Sequence, residues 1–208
     1  MQVDRAEFLR YLGWRGQETD ELLLAKLDDA AERCLDAASP RMVARRFALG
    51  KNLELAGTGF ILEGQDIRAH LAGCSEVYLF AATLGIAAER ELAKLSARGA
   101  YEALLFDTAC SCAIESYCDD ICDDLQKSCG KRLLPRFSCG YGDFPLEAQR
   151  DICRLLRTDT AIGLCRRRHH GRSPLPHGKA HLRQLCGVPA HRLRLPQKGS
   201  MTWIFAHF

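Results

Sequence analysis

Residues 101–129 contain neither glycine nor proline, and no other property of the chain restricts its fold as tightly. Glycine costs a helix backbone entropy, and proline removes a donor and clashes with the preceding turn. A stretch this long without either predicts one long helix. Small residues line it: Thr108, Ala109, Cys110, Ser111, Cys112 and Ala113. Small side chains let another backbone or a ligand approach. Glu115 follows Leu104 by eleven residues and Thr108 by seven, so it projects on the same face as both. A carboxylate on such a face is either paired in the core or turned towards a ligand. Asp119, Asp120, Asp123 and Asp124 read as a solvated helix end.

On the N-terminal side of this helix the hydrophobic periodicity predicts alternating element types. Phe8, Leu9, Tyr11 and Leu12 give a helix over 4–12, ended by the region of Gly13 and Gly16. Thr19 or Asp20 caps a second helix with an apolar stripe of Leu22, Leu23, Leu27, Ala30, Ala31 and Cys34, which Ser39-Pro40 ends. Residues 42–47, 53–55 and 59–62 read as short strands between Gly and Asn turns, and 66–71 as a helix. Residues 76–85 form an apolar strand running into a glycine turn, with an amphipathic helix over 86–95. A single Gly85 is far short of a dinucleotide fingerprint. Beyond Gly130, residues 132–138 read as a strand. Pro145 suits the first position of a helix striped with Ala148, Ile152, Leu155 and Leu156, and 161–164 reads as a short buried strand.

Composition places the chain among soluble globular proteins: 208 residues, 47% hydrophobic and 26% charged. The start shows no charged segment followed by an apolar run, so no signal peptide is expected. No apolar run approaches the roughly 18 residues of a membrane span. Eleven cysteines without a secretory signal read as reduced thiols, and the expected compartment is the cytoplasm. No CxxC pair occurs; Cys118 and Cys122 would share a helix face, but buried thiols are the simpler reading and no metal site is expected. There is no G-x-S-x-G nucleophile elbow, and apart from His70 any Cys–His pair must borrow its histidine from the C-terminal region. No catalytic residue is assigned.

Between the long helix and the 145–156 segment lies Arg136-Phe137-Ser138-Cys139-Gly140-Tyr141-Gly142-Asp143-Phe144-Pro145-Leu146. Arg136 offers a fork that clamps carboxylates bidentately. Gly140 permits close backbone approach, and the Tyr141 ring offers a π face to a purine or a sulfonium. The same residues also suit a strand-end arginine beside an ordinary Gly-Tyr turn.

The run Arg-Phe-Ser-x-Gly-Tyr-Gly-Asp-Phe-Pro-Leu-x-x-Gln, Arg136 to Gln149, resembles the signature of the activation (reactivation) domain of vitamin B12-dependent methionine synthase. Residues 8–16, the 78–85 strand and turn, and the helix holding Glu115 also resemble that family's free-standing members, so the resemblance covers 4–164. It implies an α+β fold with an antiparallel sheet flanked by helices, and S-adenosylmethionine bound in a shallow groove. It further implies a component that acts in trans on a cobalamin-binding methionine synthase core. There S-adenosylmethionine supplies the methyl group, and a flavodoxin or ferredoxin the electron, to return cob(II)alamin to methylcobalamin. The cobalamin stays on the partner, so the chain is not a complete methyltransferase by itself. By resemblance Arg136 holds the methionine carboxylate, backbone at Ser138 and Gly140 shapes the nucleoside groove, and Tyr141 completes the element. Glu115 matches the family's helix glutamate, and Asp4 its N-terminal acid. Cys139 stands where the pattern usually has proline.

The C-terminal region departs from the pattern. Residues 1–159 carry 20 Lys/Arg and all 26 Asp/Glu; 160–208 carry nine Lys/Arg, no acid, and six of the seven histidines. The family's P-x-K-S strand has two loose counterparts here, 176–179 and the better 196–198, which with Ser200-Met201-Thr202 comes some twenty residues late. The expected organisation is therefore an activation-like domain over 1–164 and an atypical basic segment over 165–208, read in a shifted frame or poorly ordered. Two further readings follow from other features. One is a corrinoid-protein interaction module without ligand turnover. The other is a nucleic-acid binder driven by the basic tail, disfavoured because no aromatic residue interleaves the charges before Trp203. No membrane partner is expected.

Overall fold

The computed structural model describes residues 1–163 and the backbone of 201–207. The chain is a mixture of helix and strand, with seven helices and four strands among the described residues, and it divides into two compact units. Met1–Arg41 and Ala82–Leu125 form the first, Met42–Ala81 and the described residues from Gln126 onward the second.

The first unit is helical. Helix α1 (Arg5–Tyr11) starts where the Asp4 side chain accepts the Glu7 N–H, and α2 (Glu21–Ala37) where Asp20 accepts the Leu23 N–H. Both caps satisfy amides that the first helical turn leaves without a partner. Helix α4 (Ile86–Arg98) follows Gly85, whose φ of +91° and whose close approach to Ser39 exclude a side chain: a Cβ there would lie 3.0 Å from the Ser39 carbonyl oxygen. Helix α5 (Ala100–Cys129) is the long helix expected over 101–129. Its buried face is largely small: Thr108, Ala109, Cys112 and Ala113, with Phe106 and Cys118 beside them. Thr108 and Ser111 return their hydroxyls to carbonyls one turn back, at Leu104 and Asp107, which lets them sit inside a helix without orphaned polar groups. In α2 the buried stripe is Leu27, Ala30 and Cys34, whereas Leu22, expected in that stripe, is 67% exposed.

The second unit is built on a sheet of order β1-β2-β4-β3, with β1 at Arg41–Ala48, β2 at Glu76–Thr83, β3 at Leu133–Ser138 and β4 at Met201–His207. The central strand β2 is buried continuously from Leu79 onward, as a strand covered on both faces requires. Strands β3 and β4 pair in parallel, with Arg136 opposite Trp203 and Ser138 opposite Phe205. A wholly antiparallel sheet therefore does not describe this edge. The connection from β3 to β4 is long enough to cross over and return in the same direction, which a hairpin is not. Pro135 lies at the irregularity in that ladder, on an edge strand where a residue without an N–H is tolerated. Its carbonyl accepts from His70 Nε2 at 3.0 Å, which fixes that imidazole's proton on Nε2; burial holds the His70 pKa below its ordinary value.

Other expectations are corrected here. Residues 53–55 and 59–62 form isolated antiparallel bridges, Leu49 with Leu55 and Glu54 with Ile61, not strands. Tight turns at Gly57 and Gly59, both at positive φ, leave too few residues for a ladder. The helix expected from Pro145 begins later, as α6 (Ala148–Leu156), after a turn. Residues 161–163 continue from a short helix α7 (Thr158–Ala161) because Arg157, in the left-handed region at φ 52°, ends α6 and starts a new turn. Arg45 of β1 donates to the Leu155 carbonyl at 2.8 Å, near the C-terminus of α6, where backbone acceptors lack helical partners. Helix α3 (Gln65–His70) agrees with the expected 66–71. The better counterpart of the family's closing strand, 196–198, and the bulk of the basic segment lie outside the described residues; β4 begins at Met201.

The exposure of Leu22 and the full burial of Leu79 predict opposite outcomes for one substitution. Leu79→Ala should lose about 2–5 kcal/mol in chemical denaturation, and Leu22→Ala should stay within about 0.5 kcal/mol of wild type. Equal losses would place Leu22 in a core.

Candidate functional site

The stretch that follows β3 turns twice, and each turn places a glycine where the backbone demands one. The Tyr141 N–H donates to the Ser138 carbonyl at 3.1 Å, closing a four-residue turn with Gly140 third at φ +85°. A positive φ at the third position is the requirement of a type II turn. Cys139 occupies the second position, where proline is common in such turns. The Phe144 N–H then donates to the Tyr141 carbonyl at 3.1 Å, closing a turn with Gly142 second at φ +55°. The Gly140 N–H donates back to the Phe144 carbonyl at 2.9 Å and joins the two turns.

Two contacts anchor this double turn within its unit. Phe137, Cys139 and Phe144 are buried in the core with Val77, Leu79 and Ile152. The half-buried Tyr141 ring meets Phe137 edge-on at 5.2 Å. On the other side Asp143 accepts the Gln65 N–H at 2.6 Å and the Asp66 N–H at 3.0 Å, while its own N–H donates to Asp66 Oδ2 at 3.2 Å. Helix α3 has Gly64 before it and no side chain of its own to cap it, so Asp143 caps it from across the unit. The Gln65 and then the Asp66 hydrogen bond hold the Asp143 carboxyl below the usual aspartate range. The approach is close: a Cβ on Gly142 would lie 2.0 Å from Asp66 Oδ2, and one on Gly64 would lie 2.7 Å from Asp143 Oδ1.

Four of the six expected ligand residues, Arg136, Ser138, Gly140 and Tyr141, thus come together on β3 and its double turn. Arg136 and Ser138 are both half-buried at the end of the strand. Glu115 and Asp4 belong to the first unit. Asp4 is the α1 cap, its Oδ1 accepting the Glu7 N–H at 2.9 Å. Glu115 is half-buried on α5 and close enough to α1 for its charge to act on Tyr11, whose hydroxyl pKa is raised first by burial and then by Glu115. The clamp between Asp66 and Asp143 was not foreseen. Its only trace in the sequence is an aspartate within two residues after a glycine at each end, Gly64-Gln65-Asp66 and Gly142-Asp143.

The first unit also carries a cleft of about 470 Å³ lined by Arg33, Asp36, Arg90, Glu91 and Lys94 among others. Within it Lys94 pairs with Glu91 at 3.2 Å and Arg33 with Glu91 at 3.9 Å. Among the described residues no group of three or more His, Cys, Asp or Glu side chains is placed to hold a metal ion, and no helix is long and apolar enough to cross a membrane. No protein-family model and no curated protein matches the chain.

The geometry of the clamp gives a pH-dependent prediction. A carboxylate with a lowered folded pKa stabilises the protein fully above its unfolded pKa, and loses that contribution as pH falls through the folded value. Asp143→Asn should therefore be less stable than wild type at neutral pH, with the gap closing on acidification below about pH 4. A gap that stays constant with pH would show that the carboxylate charge is not what binds the α3 amides. Gly142→Ala, strained by both φ and the Asp66 carboxylate, should cost at least about 1 kcal/mol in thermal or chemical denaturation.

Proposed function

We propose that this chain binds S-adenosylmethionine at β3 and its double turn, and serves in trans as the reactivation component of a cobalamin-dependent methionine synthase. The observation that carries this reading is the Arg136 to Gln149 stretch, whose order of residues resembles the signature of that family's activation domain. The arrangement of its side chains is compatible with it. Arg136 sits at the end of a strand immediately before a turn of fixed shape, which suits a fork that must meet a carboxylate at a defined angle. The Gly140 N–H is committed to Phe144, so its part would be to let a flat ligand approach the backbone closely. Tyr141, packed edge-on against Phe137, is held in orientation by the core, and its ring face suits a sulfonium.

In this reading the bound ligand brings the methyl group, a flavodoxin or ferredoxin brings the electron, and the partner core holds the cobalamin. The residues of this chain bind and orient the methyl donor. The expected compartment is the cytoplasm, where such partners are found reduced.

Titration calorimetry of the chain with S-adenosylmethionine tests the proposal. Binding should be measurable, and Arg136→Ala should weaken it by at least about tenfold, the loss of one charged hydrogen-bonded pair of about 1.5–3 kcal/mol. No binding by the wild type would sink the ligand reading. Binding that survives Arg136→Ala would remove Arg136 from it. Capture of a methionine synthase core without affinity for S-adenosylmethionine would establish an interaction module instead.

A further inference from the structure

Helices α2 and α5 bring two cysteines that are 76 residues apart in sequence to an Sγ–Sγ distance of 3.5 Å. Cys34 lies on the last full turn of α2, where its carbonyl accepts the N–H of the C-cap residue Ala38, and its side chain is completely buried. Cys110 lies on the small-residue stretch of α5 and is half-buried. Both belong to the first unit. A disulfide needs sulfur atoms about 2 Å apart, so closure asks for a displacement of about 1.5 Å. The terminal turn of a helix yields more readily than its middle, and Cys34 is on such a turn.

We propose that Cys34 and Cys110 form a reversible dithiol–disulfide site, oxidised by a hydroperoxide and reopened by a small thiol. Neither residue belongs to the ligand stretch, and the inference does not depend on the proposed function. Cys110 is the member that a small oxidant reaches. Its sulfur attacks one peroxide oxygen, the O–O bond breaks, and a sulfenic acid forms on Cys110 while the other oxygen leaves as water. The Cys34 sulfur then attacks the sulfenic sulfur, the S–O bond breaks, and the hydroxyl departs with the Cys34 proton as a second water. Two sulfurs lose two electrons in total, and the peroxide gains both. Two thiols and one hydroperoxide molecule become one disulfide and two product molecules, water and either water or an alcohol.

The 3.5 Å contact singles out this pair, and the electrostatics order its two steps. The hydrogen bond between the two sulfurs lowers the Cys34 pKa and, with burial, raises that of Cys110, so Cys34 is the readier thiolate, which suits it to the attack on the sulfenic sulfur, and the oxidation of Cys110 is the slower step. Cys112, two residues along α5, is also pushed up, to about 12, chiefly by burial, so the sulfur–sulfur contact and not the pKa sets Cys110 apart from it.

Peptide mapping of the intact chain after brief exposure to hydrogen peroxide tests the site. A cross-linked pair of peptides containing Cys34 and Cys110 is expected, from protein that remains monomeric, and it should vanish on treatment with dithiothreitol. The cross-link should survive in Cys112→Ala and be absent from Cys34→Ala and Cys110→Ala. The oxidised wild type should also melt at a higher temperature than the reduced protein, because the bond closes a long loop. Should both cysteines stay free in folded, oxidised wild type, or should Cys34 be found joined to Cys112, the proposal is overturned. The wild-type map decides this even where a variant fails to fold.

Discussion

The reciprocal hold of Asp66 and Asp143 is the interaction on which the second unit's candidate site depends. A helix as short as α3 cannot leave its first amides unpaired at little cost, and Gly64 gives it no capping side chain. Asp143 takes two of those amides, and the Asp143 amide goes to Asp66 in return. Gly64 and Gly142 then become obligatory for two reasons at once: their φ values are positive, and a methyl on either would strike the opposite carboxylate. The double turn after β3 is thereby tied to a segment about eighty residues earlier in the chain, with sequence separations of 77 and 78. Core burial of Phe137 and Phe144 secures its other side. Arg136 and Tyr141 inherit their positions from these anchors.

The first unit rests on a different constraint, the need for helices to pack closely on α5. Ala109, Ala113 and Cys118 are fully buried on it, and residues this small let neighbouring helices approach. That the face is polar in places is resolved locally, since Thr108 bonds back to its own helix. Cys34 and Cys110 meet because of this closeness, and larger residues at either position would hold their helices apart.

What the sequence made legible follows the range of the forces involved. The long helix is visible because helix breakers act where they stand, and 100–129 has none. The cap Asp20 is visible because it bonds an amide three residues on. Strand β2 is visible because a strand buried on both faces must be apolar throughout. The segments at 53–62 misled because β-prone residues make a strand only when a partner of sufficient length is present. At 161–163 the decisive event is the left-handed backbone of Arg157, a residue type that gives no warning of it. The clamp between Asp66 and Asp143 was illegible for the same reason that it matters: its partners are brought together only by the fold.

This changes how the Arg136 to Gln149 stretch is weighed. Read as chemistry alone, its glycines suggest room for a ligand, and its aspartate an additional polar contact. In the folded chain Gly140 and Gly142 answer to turn geometry, Asp143 caps a helix, and Phe137 and Phe144 fill the core. Those five positions are explained by folding without any ligand. A likeness at them therefore speaks first for a shared local structure. The proposed ligand role is carried by Arg136, on β3, and by Tyr141, whose ring is held edge-on against Phe137. The backbone that carries the Arg136 guanidinium, a strand before a turn clamped on both sides, has lost its freedom before a ligand arrives. Less entropy then remains to be lost on binding, which is the physical advantage that a carboxylate-recognising arginine gains from such a support.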